Sequence, residues 1–398
     1  MSQDLFIRKL TLRNFRSIHS ETVTFANPLF LVGRNGSGKS NFVKSLTFLS
    51  DCMTLPLQSA FNKNHNPWNS HAPSSFHGPP IEIRLEFQQG PPRSHKGHYY
   101  FLLSRSAGGG PEVESEQCVV SGEDGRDVWF ERTKDEFRTN APGINPAVNP
   151  QSLALPVVAG VAEFSPLVKA LSAMRVYTIK PHALCGLREG EGDSYLASDG
   201  SNGVGILARL ARQEAGAMGR VRELLAPIAP GITNIEAASP FNNRYYLRIV
   251  QRGNGADGTL LDASAMSDGT LSALGLIIAA MQDPAPSLIA IEEPELNIHP
   301  GALDAIADVI NMAAQRTQVI VTTHSPDLID AKWIQPENLR VVEWENGETR
   351  ISELGVAPVK ALRQHLMGAG ELMRANALDA APLSTPEDTS DLFEKALA

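Results

Sequence analysis

Residues Leu29 to Leu49 read Leu-Phe-Leu-Val-Gly-Arg-Asn-Gly-Ser-Gly-Lys-Ser-Asn-Phe-Val-Lys-Ser-Leu-Thr-Phe-Leu, and no other stretch restricts the possible folds so strongly. The apolar run Leu29 to Val32 suits a buried parallel strand. It breaks at Gly33 into a glycine-rich turn and restarts as a helix at Lys39, with Phe42, Leu46 and Leu49 at i, i+4 and i+7. Gly33, Gly36 and Gly38 admit backbone conformations closed to residues with a Cβ. The N–H groups of Arg34, Asn35, Ser37 and their neighbours through Asn41 can therefore curl around a phosphate at the positive end of the helix. Lys39 is expected to reach the β- and γ-phosphates, and the Ser40 hydroxyl to ligate Mg²⁺.

With 398 residues, 42% hydrophobic and 20% charged, the chain can bury a large core spread over roughly two or three domain-sized units. No apolar run approaches the ~20 residues of a membrane span, and Met-Ser-Gln-Asp-Leu-Phe-Ile-Arg lacks a signal-peptide layout, so a cytoplasmic protein without a membrane partner is expected. Cys52, Cys118 and Cys185 are too few and too scattered for a disulfide framework. A net charge of −9 argues against indiscriminate DNA binding over the whole surface. Arg8, Lys9, Arg13, Arg16, Arg34, Lys39 and Lys44 nevertheless make the first fifty residues basic, either as a solvated face or as a local nucleic-acid site.

Along the chain, strands are expected at Leu5 to Leu12, around Val23 and Phe25, and from Leu29. Ile81 to Phe87 alternates as an antiparallel strand, with Tyr99 to Leu103 as its partner. Residues 104–160 yield no clear pattern. Leu167 to Met174 suggests a helix, Arg175 to Ile179 a strand, Val204 to Leu225 a helical pair, and Tyr245 to Val250 a strand before a Gly-rich hairpin. The last third alternates helix (Leu271 to Met281), strand (Ser287 to Ile291), helix (Leu303 to Asn311), strand (Gln318 to Thr323) and strand (Leu339 to Trp344, turned at Asn346-Gly347), which implies a parallel sheet wound by crossovers. From Asp379 the chain reads as a mobile acidic tail. His65, His71, His77, His95 and His98 lack recognised ligand spacing and are read as loop histidines, not a metal site.

Three further strings carry chemistry. Leu288 to Glu295 places Glu292 and Glu293 just beyond a buried strand, where open α/β sheets bind ligands. Glu292 can hold Mg²⁺ directly or through water, and Glu293 can accept a proton from the water attacking the γ-phosphate; an acidic helix start is the alternative. Thr322-Thr323-His324-Ser325-Pro326 puts His324 at the same edge, able to donate to that phosphate or water. Ser267, Asp268, Gly269 and Thr270 open a helix with Ser267 or Asp268 as its cap. They form either a second anion site, useful against the γ-phosphate of a nucleotide held by another subunit, or a well-capped core helix.

These strings, in this order, resemble the ATPase heads of the ABC superfamily, in the branch containing RecF, the structural-maintenance-of-chromosomes (SMC) proteins and the OLD-family nucleases. Stand-alone "AAA family" ATPases of that branch are the most similar. Leu12-Arg13-Asn14-Phe15-Arg16-Ser17-Ile18, Asp199-Gly200-Ser201-Asn202-Gly203 and Gly368 to Leu378 match as well. The resemblance implies an α/β head with a mixed, largely parallel wound sheet, an antiparallel β lobe, a helical insertion and no long coiled coil. It implies bounds near 1–50 and 241–350 for the two parts of the head, 51–180 for the β and loop-rich insertion, 181–240 for the helical insertion, and 351–398 for a C-terminal extension. Two heads would clamp two ATP and their Mg²⁺, each ATP held by one subunit's Lys39 and Ser40, with Arg16 among the nucleotide-binding residues, and capped by the other's Ser267 and Gly269. Glu293 would be the catalytic carboxylate and His324 the switch histidine.

Three features depart from the pattern: Glu292 in place of Asp, Ser272 where relatives often carry Arg, and no evident coupling glutamine beyond Gln88 and Gln89. The expected function is a slow ATPase switch, dimeric or larger, governing a separately encoded nuclease or toxin in bacterial defence. A RecF-like DNA repair or tethering ATPase is the alternative.

Overall fold

Alternating burial sets the opening strand: in β1 (Leu5–Phe15) the inward positions are Ile7, Leu10, Leu12 and Phe15, each almost wholly buried. The computed structural model describes residues 5–68, 78–90, 95–121, 126–144, 146–147, 149–186, 188–189, 194–241, 244–252 and 258–382. β1 turns through Arg16 and Ser17 into antiparallel β2 (Ile18–Thr24), and β3 (Leu29–Val32) leads into α1 (Lys39–Thr54) and α2 (Leu57–Lys63). β4 (Ile81–Gln89), β5 (His95–Arg105), β6 (Pro111–Ser121), β7 (Asp127–Thr133) and β8 (Phe137–Thr139) complete a seven-stranded antiparallel sheet of order β2-β1-β4-β5-β6-β7-β8.

β6 to β8 fall within residues 104–160, where no clear pattern was legible, and the reason is physical. Glu116 on β6 points inward and is fully buried, accepting from the Tyr99 hydroxyl at 2.9 Å and from the N–H groups of Ala154 and Leu155. Arg132 on β7, also buried, lies 3.7 Å from Glu116 and donates to the carbonyls of Ser152 and Asn149. A polar node at the heart of a strand pair erases the apolar alternation that marks strands. Glu116 thereby tethers α3 (Ala154–Val157), followed by α4 (Ser165–Ser172).

β9 (Arg175–Tyr177) and β10 (Arg188–Glu189) precede α5 (Gly203–Gln213) and α6 (Ala217–Leu225), separated at Gly216, φ 92°. β11 (Ile232–Phe241), β12 (Arg244–Gln251) and β13 (Thr259–Asp262) join β10 in a small sheet, so a strand crosses residue 240, where the helical insertion was expected to end. The glycine-rich hairpin expected after β12 lies outside the described residues at 253–257.

The remaining elements are α7 (Asp268–Met281), β14 (Leu288–Glu292), α8 (Leu303–Ala314), β15 (Gln318–Thr323), β16 (Leu339–Glu345), β17 (Glu348–Ser352), α9 (Val356–Arg363) and α10 (Ala369–Arg374). They build a six-stranded sheet of order β17-β16-β3-β15-β14-β9, parallel except for the β16–β17 hairpin over Asn346-Gly347. The segment expected to be mobile from Asp379 is hydrogen-bonded through Ala381, whose N–H donates to the Glu353 carbonyl at 2.7 Å; residues 383–398 lie outside the described part.

The parallel sheet divides two apolar cores. Leu29, Leu31, Leu288, Ala290 and Ile320 face α1 and the antiparallel sheet, whereas Phe30, Val32, Ile289, Ile291, Val319 and Val321 face α7 and α8. Buried Gln318 bridges the two sheets by accepting from the Ile7 N–H at 3.0 Å and donating to the Ile7 carbonyl at 2.9 Å. The fold is the mixed α/β head expected, and no long coiled coil occurs among the described residues.

Candidate functional site

β3, β15 and β14 are adjacent and parallel, with Val32 opposite Thr323 and Glu292 opposite Thr322, so the residues that follow each strand emerge at one edge. After β3 the loop turns through Gly36 (φ 80°) and Gly38 (φ 101°), the latter capping α1. Two of its glycines are also sterically required: a Cβ on Gly33 would lie 2.1 Å from the Val342 carbonyl oxygen, and one on Gly38 1.8 Å from Thr349 Oγ1. Lys39 is buried, and its Nζ donates to the carbonyls of Gly33 at 2.8 Å and Arg34 at 3.0 Å. Burial holds this ammonium below the ordinary lysine pKa, and the charges of Glu293 and Glu295 pull it back up, which brings the strand ends into one electrostatic unit. Arg34, Asn35, Gly36 and Ser40 are exposed, Ser37 is buried, and the Asn41 side chain donates to Ser17 Oγ at 2.6 Å. The loop thus presents backbone donors and a buried cation to an anion, with a free hydroxyl beside it, and fits a nucleoside triphosphate with its metal.

Glu292 ends β14 and accepts from the Thr178 hydroxyl at 2.9 Å. Glu293 follows at φ 46°, its N–H pinned to the Thr322 carbonyl at 2.9 Å; a left-handed residue with a Cβ at such a strand end is held there by its surroundings. His324 Nδ1 lies 3.9 Å from Glu293 Oε1 and 3.2 Å from Glu295 Oε1. The edge therefore gathers Lys39, Ser40, Glu292, Glu293 and His324.

Ser267, Asp268, Gly269 and Thr270 lie apart from this cluster: no hydrogen bond or ion pair among the described residues joins them to residues 33–41. Ser267 caps α7, accepting from the Thr270 N–H at 3.3 Å, and it is exposed together with Asp268. Gly269 is packed so tightly that a Cβ would lie 2.4 Å from the Asn297 carbonyl oxygen. Ser272 is buried, so no cation reaches outward from that position.

Arg16 does not reach the loop. Its guanidinium donates to the Asn64 carbonyl, while neighbouring Ser17 makes the contacts to Asn41 and Thr349. Gln88 and Gln89 pair with Phe6 and Leu5, at the end of β1 remote from Ser17, on the order of 35 Å away at strand rise. The group that meets Glu292 is Thr178, just after β9. Sequence reading missed it because it becomes Glu292's neighbour only through the β9–β14 pairing. Glu295 was also missed as a partner of His324. His71 and His77 lie outside the described residues, and no cluster of potential metal ligands built from His, Cys, Asp and Glu occurs within them.

The segment around α10 closes over the loop after His324. A Cβ on Gly370 would lie 2.2 Å from the Pro326 carbonyl oxygen, and the Gly370 N–H donates to Asp330 at 3.1 Å. Arg374 pairs with Asp327 and, at 3.5 Å, with Asp330; Asn376 accepts from the phosphate loop's Arg34 at 3.3 Å.

Comparison with known proteins agrees with this architecture. A family model described as "AAA ATPase domain" matches residues 6–132, and one described as "AAA domain, putative AbiEii toxin, Type IV TA system" matches residues 210–330. The DNA replication and repair protein RecF of Francisella tularensis subsp. mediasiatica is 42% identical over 65 residues, 16% of this chain and 18% of RecF. RecF of subsp. novicida is 40% identical over 65 residues, with the same coverage. The chain thus matches only 18% of the length of these curated relatives. An SMC head bound to the C-terminal winged-helix domain of ScpA superposes with a TM-score of 0.55 at 14% identity, over 89% of this chain and 99% of that one, a likeness of fold. No helix among the described residues is long and apolar enough to cross a membrane. Matched by ATPase-domain models over residues 6–132 and 210–330, similar to RecF over 65 residues and folded like an SMC head, the chain resembles the RecF/SMC branch of the ABC ATPase superfamily.

Proposed function

We propose that the protein is a slow, cytoplasmic ATP-hydrolysing switch in which two copies close head to head and the closed state governs a separately encoded nuclease or toxin. One observation carries this. Lys39, the paired carboxylates and His324 meet at one edge, whereas exposed Ser267 and Asp268 sit on a helix start that, among the described residues, makes no hydrogen bond or ion pair to that edge. Bound Mg²⁺ would neutralise charge on the triphosphate and align it. Ser40 and Glu292 would hold the ion, the latter oriented by Thr178. Lys39 exchanges its two loop carbonyls for phosphate oxygens, Glu293 takes a proton from the attacking water, and His324 supports the phosphate side. Ser267 and Gly269 of one copy cap the site of the other and exclude water. The effector role is supported by the resemblance to defence-type ATPases and by the toxin–antitoxin wording of the family matched at residues 210–330.

A RecF-like DNA clamp is favoured by a different observation: the outer antiparallel sheet holds a cavity of about 450 Å³ lined by Arg8, Lys9, Arg84 and Lys96, opposed by Glu86 and Asp127. Mass measurement of wild type and Glu293→Gln with ATP and Mg²⁺, with and without duplex DNA, separates the two. A mutant that retains ATP and dimerises without DNA is the expected result. A shift that needs DNA moves the assignment to the clamp, and no nucleotide retention and no shift in either protein overturns both.

A further inference from the structure

We propose that Glu295, and not the adjacent catalytic carboxylate Glu293, is the positioning residue that sets the orientation and tautomer of His324; this rests on the switch function above. Glu295 lies three residues beyond β14 and is 91% buried by its 9% exposure. Its Oε1 straps the ends of β14 and β15 together, accepting from Thr323 Oγ1 at 2.7 Å and from the His324 N–H at 2.9 Å. Thr323 Oγ1 in turn accepts from the Ser325 N–H at 3.0 Å, so the turn that presents the histidine hangs on one carboxylate oxygen.

The same oxygen faces the ring. His324 Nδ1 is buried, 3.2 Å from Glu295 Oε1 against 3.9 Å from Glu293 Oε1, and has no properly angled hydrogen-bond partner among the described residues. A buried ring nitrogen beside a carboxylate is stabilised as a donor, and such contacts tighten when the reacting complex forms. With the proton held at Nδ1, Nε2 is left for the phosphate side. As a lone pair it accepts from the attacking water; protonated, it donates to the γ-phosphate. Glu293, 31% exposed at its side chain against 7% for Glu295, stays free for the water.

The test reads the proton directly. Protein labelled with ¹⁵N-histidine, without nucleotide and at about pH 8.5 so that an ordinary imidazole is neutral, is measured by two-bond ¹H–¹⁵N correlation, with His324 assigned by its loss in His324→Gln. The expected result is an Nδ1–H tautomer in wild type, reverting to Nε2–H in Glu295→Ala. That variant should also lower kcat by about 10- to 100-fold with KM for ATP within about threefold, the scale seen when an orienting partner is lost. Glu295→Gln, which keeps an acceptor oxygen, should restore both. An Nε2–H tautomer in wild type, or one unmoved by Glu295→Ala, overturns the proposal; the wild-type spectrum decides even if the alanine variant fails to fold. An Nδ1–H signal in a protein that hydrolyses no ATP supports Glu295's role and overturns the switch function instead.

Discussion

The glycine-rich loop after β3 and the start of α7 both combine glycine, a hydroxyl and helix N–H groups, yet one is wired to the carboxylates and histidine of its own chain and the other stands apart from them. Gly38 is pressed against Thr349, Lys39 is buried with both donor bonds in use, and the neighbouring strands supply carboxylates and a histidine. Ser267 and Asp268 face outward; Ser267 bonds within its own helix start to Thr270, and Asp268 lies 3.6 Å from His182. In the proposed two-copy switch, the loop after β3 would hold the nucleotide of its own chain and the start of α7 would complete the site of the other copy.

The largest effect that would break this contrast is in the loop. Lys39→Ala should weaken ATP binding by about 100-fold, from the loss of charge-assisted bonds to phosphate, in a titration with a fluorescent nucleotide. If Ser267→Arg weakens monomer binding comparably, the two sites are not separable. The expected result for Ser267→Arg is monomer affinity within about twofold of wild type and hydrolysis lowered by roughly 10- to 100-fold through a clash at the joint. Mixing the two variants sharpens the contrast, because a mixed dimer holds one site with both defects and one with neither. Steady-state hydrolysis should recover to about a quarter of wild type in an equal mixture, and no recovery argues against two-copy sites. The smallest effect is at Thr178→Val, where loss of one hydrogen bond of about 1 kcal/mol should weaken Mg²⁺ dependence by about fivefold while metal-free nucleotide binding stays unchanged.

The half of the site that was readable in the sequence lies in contiguous strings at strand ends, where one strand and its following turn deliver the group: Lys39 after β3, Glu292 and Glu293 after β14, His324 after β15. Thr178 was not readable, since it meets Glu292 across 114 residues of chain and carries no motif of its own. Glu295 stood in plain view beside Glu292 and Glu293, yet its contacts with Thr323 and His324 come from the register that sets β14 against β15. Arg16 shows the opposite failure, a residue assigned to the nucleotide by resemblance whose guanidinium turns to the Asn64 carbonyl. In the fold, the parallel sheet announced itself through apolar runs bounded by glycine, proline and helices. The outer strands β6 to β8 did not, because Glu116 and Arg132 occupy inward positions that pattern reading reserves for apolar side chains.

The clasp made by residues 368–376 ties two loops with one segment: Arg374 and Gly370 grip the stretch that follows the histidine, and Asn376 holds Arg34. Any molecule that displaces this segment must therefore loosen both loops at once. By thermodynamic reciprocity, if such a molecule changes the affinity for nucleotide by some factor, nucleotide changes the affinity for that molecule by the same factor. The seam formed by residues 368–376 is thus the place where a partner would touch the loop after β3 and the loop after His324 together.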